Sequence, residues 1–244
     1  MSSYTDFAYL YDRLTDDVDY TAWADYLEQL FAKFCTQKPQ LVCDLACGTG
    51  SICAELSKRG YDMTGIDLSP DMLDVAAQKS VGLPVLYLNQ DITTFELYGT
   101  MDAILCLLDS VNYITDPDGV AHMMKLVKNY LNPGGVFIFD INTPYKFQKI
   151  LADNVFTYDD EDLFYCWECG NDGEIWTHDL NFFVRNQTGS YERITEYHEQ
   201  KLYLPEQIEQ MAKDAGLVLE GCYDQLTCSA PHSQSERVFY VFRG

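Results

Sequence analysis

Residues 41–50 read Leu-Val-Cys-Asp-Leu-Ala-Cys-Gly-Thr-Gly, an apolar run that contains an acid and ends in small residues and glycines. Apolar runs without polar alternation are typical of strands buried on both faces, as parallel strands are. Gly48 and Gly50 let the backbone turn sharply and approach a ligand closely. Because residues 51–59 then have helical spacing, the sequence predicts a strand, a ligand-binding turn and a helix.

Further segments repeat this order of strand and helix. A second strand, residues 61–67, ends in Asp67, where doubly wound nucleotide-binding folds hold a carboxylate for ribose hydroxyls. More strands are predicted at 83–88, 101–108, 136–141, 217–226 and 237–242. We therefore expect an α/β fold: a doubly wound, mostly parallel seven-stranded sheet with helices on both faces and a closing antiparallel hairpin.

The alternation of strand and helix stops between residues 144 and 204. Segments 163–169, 175–185 and 191–203 resemble strands joined by glycine-containing turns. Residues 153–162 are acidic and are predicted to be an irregular, mobile approach to these strands. We expect a core formed by residues 1–143 and 205–244, with a small antiparallel β lid or substrate subdomain inserted at 144–204.

Composition is that of a globular protein, with 47% hydrophobic and 22% charged residues. The sequence contains no apolar run long enough for a membrane span and no basic-then-apolar leader at its start, so we expect a soluble, cytoplasmic protein. Nine cysteines without regular spacing favour a reducing compartment. Cys166 and Cys169 have metal or redox spacing, but positions three apart on a strand point to opposite faces, which favours two ordinary strand cysteines.

The net charge of the chain indicates which class of macromolecule it can bind. The chain has 16 basic and 38 acidic residues, for a formal net charge of −22. Such a field repels phosphate backbones unless a local basic patch overrides it. The sequence has no lysine or arginine cluster of that kind, which disfavours a nucleic-acid partner.

Three motifs occur in order: Asp-Leu-Ala-Cys-Gly-Thr-Gly at 44–50, Gly-Ile-Asp-Leu-Ser at 65–69 and Leu-Asn-Pro-Gly-Gly at 131–135. Together they resemble class I S-adenosylmethionine-dependent methyltransferases. The resemblance covers about the first 140 residues and the final strands. It implies a Rossmann-like methyltransferase fold, S-adenosyl-L-methionine as cofactor, and an acceptor whose identity depends on residues 144–204.

The resemblance also implies which residues bind the cofactor. Asp67 would hold the ribose hydroxyls, and Asp91 would accept a hydrogen bond from the adenine amino group; a simple turn role is the alternative for Asp91. Tyr11 lies in an aromatic segment that closes over the cofactor in similar proteins, or it anchors the N-terminus by packing. The full predicted set is Tyr11, Asp44, Ala46, Cys47, Gly48, Gly50, Asp67, Leu68, Met72, Asp91, Ile92, Leu108 and Asp109.

Methyl transfer from a sulfonium needs alignment more than covalent help, so we expect no catalytic triad and no metal. Asn112 and Tyr113 follow the fourth strand at the ligand-binding edge of the sheet and are predicted to position the acceptor. A base is needed only if the acceptor arrives protonated. His178 and His198 are the candidates, although strand histidines are more often structural. We expect a small-molecule acceptor and a monomer or homodimer.

Two other functions fit part of the pattern. A nicotinamide dehydrogenase also uses a glycine turn and a ribose acid, but its third glycine would stand at position 53, which is Cys53. A non-catalytic S-adenosylmethionine-binding protein would keep the same pocket without turnover. Turnover with any acceptor separates that protein from an enzyme.

Overall fold

The computed structural model describes residues 3–15, 17–186 and 188–244. The helices in these ranges are α1 (Ser3–Leu14), α2 (Tyr20–Phe34), α3 (Ser51–Lys58), α4 (Pro70–Lys79), α5 (Pro117–Tyr130) and α6 (Pro205–Asp214). The strands are β1 (Leu41–Leu45), β2 (Asp62–Asp67), β3 (Val85–Asn89), β4 (Met101–Cys106), β5 (Leu131–Asn142), β6 (Val155–Asp159), β7 (Leu163–Asp172), β8 (Ile175–Arg185), β9 (Tyr191–Lys201), β10 (Val218–Asp224) and β11 (Arg237–Arg243). A 3₁₀ turn, Ser110–Tyr113, follows β4, and a π-helical segment, Lys146–Leu151, follows β5.

Seven strands form one sheet in the order β10-β11-β5-β4-β1-β2-β3. The strands β1 to β5 pair in parallel, whereas β11 runs antiparallel to both β5 and β10. The chain proceeds outwards from β1 in one direction and from β4 in the other, so the crevice at their carboxyl ends is a topological switch point. The predicted doubly wound, mostly parallel seven-stranded sheet is confirmed.

Helices cover both faces of this sheet, as predicted. On one face, α2 and α3 pack through residues such as Leu27 and Leu56. On the other, α5 and α6 pack through Met124, Ile208 and their neighbours. Successive strand residues alternate between these two cores, which is the two-residue period of a strand buried on both sides.

The strand β5 begins five residues before the predicted start at 136. Leu131 pairs with Met101, and the next paired residues are Ala103 and Val136, so the intervening residues bulge out of the ladder. Gly134, with φ of 82°, lies in this bulge and takes a conformation that glycine adopts without strain.

A second, antiparallel sheet has the strand order β6-β7-β8-β9. The expectation that residues 153–162 are irregular is wrong. Residues 155–159 form β6, and every residue of β6 pairs with one of β7. Most side chains of β6 are exposed, so this edge strand lacks the apolar signal by which a strand is recognised. The π-helical segment before it was also not predicted.

Strand register decides which side chains of this second sheet face the core. Cys169 pairs with His178, and His178 pairs with His198, so all three lie on one face. The same face carries Trp167, Trp176 and Phe182, whereas Phe164 and Tyr197 lie on the other. Only the first group of aromatic residues can therefore contribute to a site beneath the sheet.

The N-terminal segment forms α1, which packs against α4 and β9. Leu10 and Leu14 contact an apolar cluster that includes Phe182 and Ile194 of the second sheet. The expected packing of the aromatic side chains at positions 4, 7 and 9 lies outside the described part of the chain. The described side chains thus link the N-terminus to the small sheet.

Three further findings concern membrane spans, cysteines and metal ligands. Within the described ranges, no helix is long and apolar enough to cross a membrane. The nine cysteines all lie in those ranges and none forms a disulfide; Cys166 and Cys169 are ordinary residues of β7. The described histidines, cysteines and acids form no group of three or more that could hold a metal ion.

Candidate active site

The glycine turn after β1 forms one wall of a first cavity at the carboxyl edge of the main sheet. Ala46 and Gly48 both have positive φ, of 56° and 53°, so this loop requires small residues. A Cβ atom at Gly48 would meet nothing within 4 Å, which leaves the backbone open to a ligand. The cavity is lined by Tyr11, Tyr20, Asp44, Ala46, Cys47, Gly48, Thr49, Ser51, Ile52, Leu107, Leu108 and Ser110.

Asp67 fixes this loop from the neighbouring strand. Its two carboxylate oxygens accept hydrogen bonds from the backbone N–H of Gly48, at 2.8 Å, and of Ser69, at 2.9 Å. Each carboxylate oxygen has two lone-pair sites, so capacity for ligand hydroxyls is left. Asp67 thus lies at the end of β2, where a ribose-binding acid is expected.

Helix α1 closes over the same loop through Asp12. Thr49 Oγ1 donates to Asp12 Oδ1 at 2.6 Å, and Lys79 Nζ forms a salt bridge with Asp12 at 2.8 Å. Lys79 Nζ also donates to Ser51 Oγ at 2.7 Å. With α1 in this position the first cavity has a volume of about 40 Å³, well below the ~300–1,000 Å³ of typical small-molecule sites. In this position of α1, the first cavity is smaller than a nucleoside-sized ligand.

Asp44 is a buried acid in the wall of the first cavity, only 3% exposed. Burial raises the pKa of Asp44 to about 7, and Cys53 Sγ donates to Asp44 Oδ2 at 3.6 Å. A carboxyl group with such a pKa is poised to ionise when a cation binds beside it.

Asp44→Asn is expected to stabilise the ligand-free protein more at pH 8 than at pH 5. The pKa of Asp44 in the folded protein lies above its ordinary value of 3.8. The stability that the protonated carboxyl contributes is therefore fully present below about pH 4 and is lost as pH rises through about 7. Asparagine is neutral throughout, so we expect a gain at pH 8 of at least ~1 kcal/mol, or roughly 2–4 °C in Tm.

Thermal unfolding at both pH values checks this, with Asp62→Asn as the control because Asp62 is exposed at the start of β2. Equal shifts in Tm at pH 5 and pH 8 would contradict the assignment.

The exit from β4 is a strained turn held by a buried ion network. Leu108 and Asp109 both have positive φ, of 56° and 53°, which is costly for residues with a side chain. Asp140 of β5 accepts hydrogen bonds from both of their backbone N–H groups at 2.8 Å. Arg237 of β11 contacts Asp140 and also donates to Asp109 Oδ1 at 2.5 Å. Asp140 and Arg237 thereby fix the turn.

A second cavity, of about 280 Å³, lies on the other side of this turn. Its floor comes from the main sheet and its roof from the inner face of the second sheet. The lining residues are Tyr11, Leu14, Thr15, Asp109, Tyr113, Asn142, Lys146, Leu151, Tyr165, Trp167, His178, Leu180, His198, Gln200 and Arg237. Tyr11 lines both cavities, and the consecutive residues Leu108 and Asp109 line one each.

Electrostatics within the second cavity set the protonation of its groups. Burial acts to raise the pKa of Asp109, but Arg237 and Lys146 outweigh it and hold that pKa below its usual range. Burial and the Asp109 carboxylate raise the pKa of Tyr113. Asp109 is therefore ionised at neutral pH, and the Tyr113 phenol keeps its proton and can donate a hydrogen bond.

The two histidines of this cavity differ in their surroundings. His178 Nδ1 accepts a hydrogen bond from Trp167 Nε1 at 3.1 Å, and an indole N–H is only a donor. Burial lowers the pKa of His178, with a smaller opposing effect of Gln200, so the ring is neutral and its proton is on Nε2. The ring of His198 stacks edge-on against Tyr113, with centroids 5.8 Å apart, and burial lowers its pKa too.

Predicted site residues fall into two groups. The structure brings Tyr11, Asp44, Ala46, Cys47, Gly48 and Leu108 together around the first cavity and Asp109, Tyr113 and His178 around the second. Gly50 is the N-cap residue of α3, next to the first cavity. Asp67 accepts a hydrogen bond from Gly48, in the loop that lines this cavity. Leu68 is exposed, and Met72 packs against the apolar cluster that contains Leu10 of α1. Asp91 accepts a hydrogen bond from the backbone N–H of Thr93, and Ile92 is buried in the core. These last four lie outside both linings.

Asn112 has a different place from the expected one. It is fully buried: its Nδ2 donates to the carbonyl of Lys201 at 2.9 Å, and its Oδ1 accepts from the N–H of Asn142 at 3.0 Å. Both ends of the amide are therefore engaged with backbone, and Asn112 is not among the residues that line the cavity. The expectation that Asn112 contacts an acceptor is replaced by a positioning role, in which it ties the β4 exit to β5 and β9.

Several residues of the second cavity were not predicted. Asn142 is the last residue of β5 and Lys146 follows it shortly after, so the rule that ligands bind at that edge would have found them. Arg237 begins β11 opposite Asn142, and the start of an antiparallel strand lies at the same edge as its neighbour's end. Gln200 pairs with Trp176 on the second sheet and carried no signal beyond strand alternation.

Comparison with known proteins gives the family. A family model described as a methyltransferase domain matches residues 42–135. YqeM of Bacillus subtilis (strain 168), which its name assigns provisionally to the methyltransferases, is 37% identical over 243 residues, covering 97% of this chain and 95% of that protein. A solved S-adenosylmethionine-dependent methyltransferase from Clostridium acetobutylicum ATCC 824 is 35% identical with a TM-score of 0.89, covering 99% of both chains. The sugar N-methyltransferase KedS8 from Streptoalloteichus sp ATCC 53650 shares the fold, with a TM-score of 0.80, 21% identity and coverage of 96% and 92%.

The residues of the first cavity fit this cofactor. The backbone at Gly48 is open, Asp44 lines the cavity with a carboxyl group, and Asp67, which bonds the Gly48 N–H, has its carboxylate at the end of β2. Identity with the first two relatives extends over the second sheet as well as the core, which sets the dehydrogenase alternative aside. The chain therefore belongs to the S-adenosylmethionine-dependent methyltransferases, and S-adenosylmethionine is its cofactor.

Proposed function

We propose that the methyl group passes to a small-molecule acceptor held in the 280 Å³ cavity, by in-line displacement. One observation carries the proposal: Tyr11 lines both cavities, and the Leu108–Asp109 turn separates them. A donor on one side and an acceptor on the other would meet at this turn. The cofactor supplies a methyl group that its sulfonium charge has already activated.

In this proposal the chain's own residues position the reactants. Asp140 and Arg237 hold the backbone at Leu108 and Asp109, so the boundary between the cavities is rigid. The Tyr113 phenol lines the cavity and presents a hydrogen-bond donor to the acceptor. Orientation of this kind supplies a large share of the rate enhancement when the leaving group is already activated.

Removal of a proton from the acceptor, where it is needed, falls to His198 rather than His178. The Nδ1 lone pair of His178 is engaged by Trp167, and its Nε2 carries the ring proton, so neither nitrogen is ready to accept another. His198 lies on the same face of the sheet and next to Tyr113. The predicted catalytic role of His178 as a base thus becomes, in this proposal, that of a hydrogen-bond donor.

We further propose that residues 144–204 act as a lid that selects the acceptor. The second sheet contributes Tyr165, Trp167 and Leu180 to the cavity roof, and Leu151 adds a further apolar wall.

A roofed cavity of this size favours a small molecule over a polymer, and the net charge of −22 repels nucleic acid. The name of KedS8 describes a sugar N-methyltransferase, which makes amino sugars one class to test. The nine free cysteines support a reducing, cytoplasmic setting.

The experiment is a screen of cellular extract with S-adenosylmethionine labelled on its methyl group. Fractionation by mass should find the label in low-molecular-weight compounds. Label confined to the protein or nucleic-acid fraction would contradict the proposal, and so would hydrolysis of the cofactor without a methylated product.

A further inference from the structure

The second cavity is unusual, in a chain this acidic, for the hydrogen-bond donors that line it. Among the described residues, one carboxylate lines the cavity: Asp109, which already accepts from Arg237 Nη2 at 2.5 Å and from Gln200 Nε2 at 2.6 Å. Each oxygen of Asp109 thus already accepts from one protein donor. The remaining capacity of the cavity lies chiefly on groups that donate.

Lys146 is the main such group. It is half-buried on the π-helical segment, and its Nζ donates to Asn142 Oδ1 at 3.0 Å. Among the described residues, no carboxylate lies within salt-bridge distance of this ammonium, whereas Arg237 is paired with two. An ammonium has three protons, and burial lowers the pKa of Lys146. Two donors and an incompletely compensated charge are thus left at the cavity.

His178 adds a neutral donor to the same cavity. Both neighbours of its Nδ1, the Trp167 indole and the Cys169 thiol at 3.7 Å, have a hydrogen to donate. The ring proton is therefore on Nε2, and this buried atom has no partner with hydrogen-bond geometry among the described residues. A buried donor without a hydrogen-bond partner lowers the stability of the protein, and a ligand oxygen that accepts from it removes this cost.

We propose that the acceptor carries a carboxylate group, which Lys146 binds by a charge-assisted hydrogen bond. This inference rests on the proposed function, since it describes the acceptor of the same cavity. The charges near the cavity select a monoanion. Arg237 is paired with Asp109 and Asp140, so one added negative charge can pair with the Lys146 ammonium. A phosphate dianion would leave an excess negative charge in a site with little water.

The cavity walls add a second feature to this acceptor. The cavity lining also includes apolar or aromatic side chains, those of Leu14, Tyr165, Trp167 and Leu180. The carboxylate should therefore be attached to a compact apolar or aromatic body that also bears the methyl-accepting atom. Amino acids and aromatic acids satisfy this description.

Binding without turnover tests the inference. The protein is saturated with S-adenosylhomocysteine, the demethylated cofactor, and titrated calorimetrically with benzoate, phenylacetate and indole-3-acetate, each against its carboxamide. Phenyl phosphate tests the alternative anion. We expect at least one carboxylate to bind ~10-fold or more tightly than its amide, since the charge-assisted bond is lost in the amide. A panel in which no carboxylate is preferred, or in which phenyl phosphate binds most tightly, would overturn the inference.

Lys146→Met then tests the residue, because methionine keeps the length of the side chain without its charge. We expect affinity for the preferred carboxylate to fall ~10-fold or more, with affinity for S-adenosylhomocysteine unchanged. Lys149→Met is the matched control, since Lys149 lies on the same segment but is exposed. Equal carboxylate affinity in Lys146→Met and Lys149→Met, with both variants folded, would refute the role of Lys146.

The two proposals fail in different ways. Carboxylate binding by a protein that methylates no small molecule would refute the proposed function and leave the carboxylate site standing. Methyl transfer to a small acceptor without a carboxylate would overturn the inference and leave the proposed function standing.

Discussion

Replacing Asp67 with alanine is expected to weaken binding of S-adenosylmethionine by tens-fold or more while the protein stays folded. The Asp67 carboxylate accepts a hydrogen bond from the Gly48 N–H at 2.8 Å, and we propose that it also accepts hydrogen bonds from the ribose hydroxyls. Loss of charge-assisted hydrogen bonds of this kind costs about 1.5–3 kcal/mol. Gly48 and Ser69 are half-buried, so water can replace the lost carboxylate and the loss of stability should be smaller than the loss of binding.

Calorimetric titration with S-adenosylmethionine measures this loss directly. The control is Asp62→Ala, which removes an exposed acid from the first position of the same strand. We expect its affinity to match that of the unmodified protein. Unchanged affinity in a folded Asp67→Ala protein would contradict the proposed ribose contact.

Arg237→Met is expected to destabilise the protein by about 3–5 kcal/mol, because removing one partner of a buried ion network leaves its other charges uncompensated. Asp140 is fully buried, and it would retain its bonds to the Leu108 and Asp109 N–H groups but lose its cation. For a domain of this size the loss corresponds to a fall in Tm of roughly 10 °C.

The destabilisation should also depend on pH. Without Arg237, burial would raise the pKa values of Asp109 and Asp140 above the ordinary value of 3.8. The variant should then be closest to the unmodified protein near pH 4 and should lose relative stability as pH rises towards neutrality.

Arg243→Met is the matched control because Arg243 lies at the other end of the same strand. Its ion pair with Glu220, at 2.6 Å, is half-exposed, and such pairs contribute about 0–1 kcal/mol. Urea unfolding of both variants between pH 4 and pH 8 compares them. Similar losses for Arg237→Met and Arg243→Met would show that the buried network is not a stabilising element.

The main sheet was predictable because its strands carry strong local signals. The run at 41–45 is apolar on both faces, and the small residues after it admit only a turn. Such segments form strands almost regardless of the rest of the chain. Strand β6 was missed for the opposite reason: its residues are mostly exposed and acidic residues flank it, and only pairing with β7 makes it a strand.

The site divides in the same way. The sequence could predict Asp44, Gly48, Asp67 and Asp109, because each lies near the carboxyl end of a recognisable strand or just after it. Asp140 and Arg237 could not, because they read as ordinary strand residues until the register of β5 against β11 is known. The role of Asn112 depends on contacts with residues 30 and 89 positions away in sequence.

Filling the second cavity tests the central claim most directly. Leu180 lies on the inner face of the second sheet, opposite Trp167, and lines the cavity. Leu180→Trp should occupy the acceptor space, with Leu86→Trp, at an exposed position of β3, as the control. With the acceptor identified by the labelled screen, we predict that Leu180→Trp lowers kcat/KM by ~10-fold or more and changes the affinity for S-adenosylhomocysteine less than twofold. Undiminished turnover in a folded Leu180→Trp protein would show that the methyl group is transferred elsewhere.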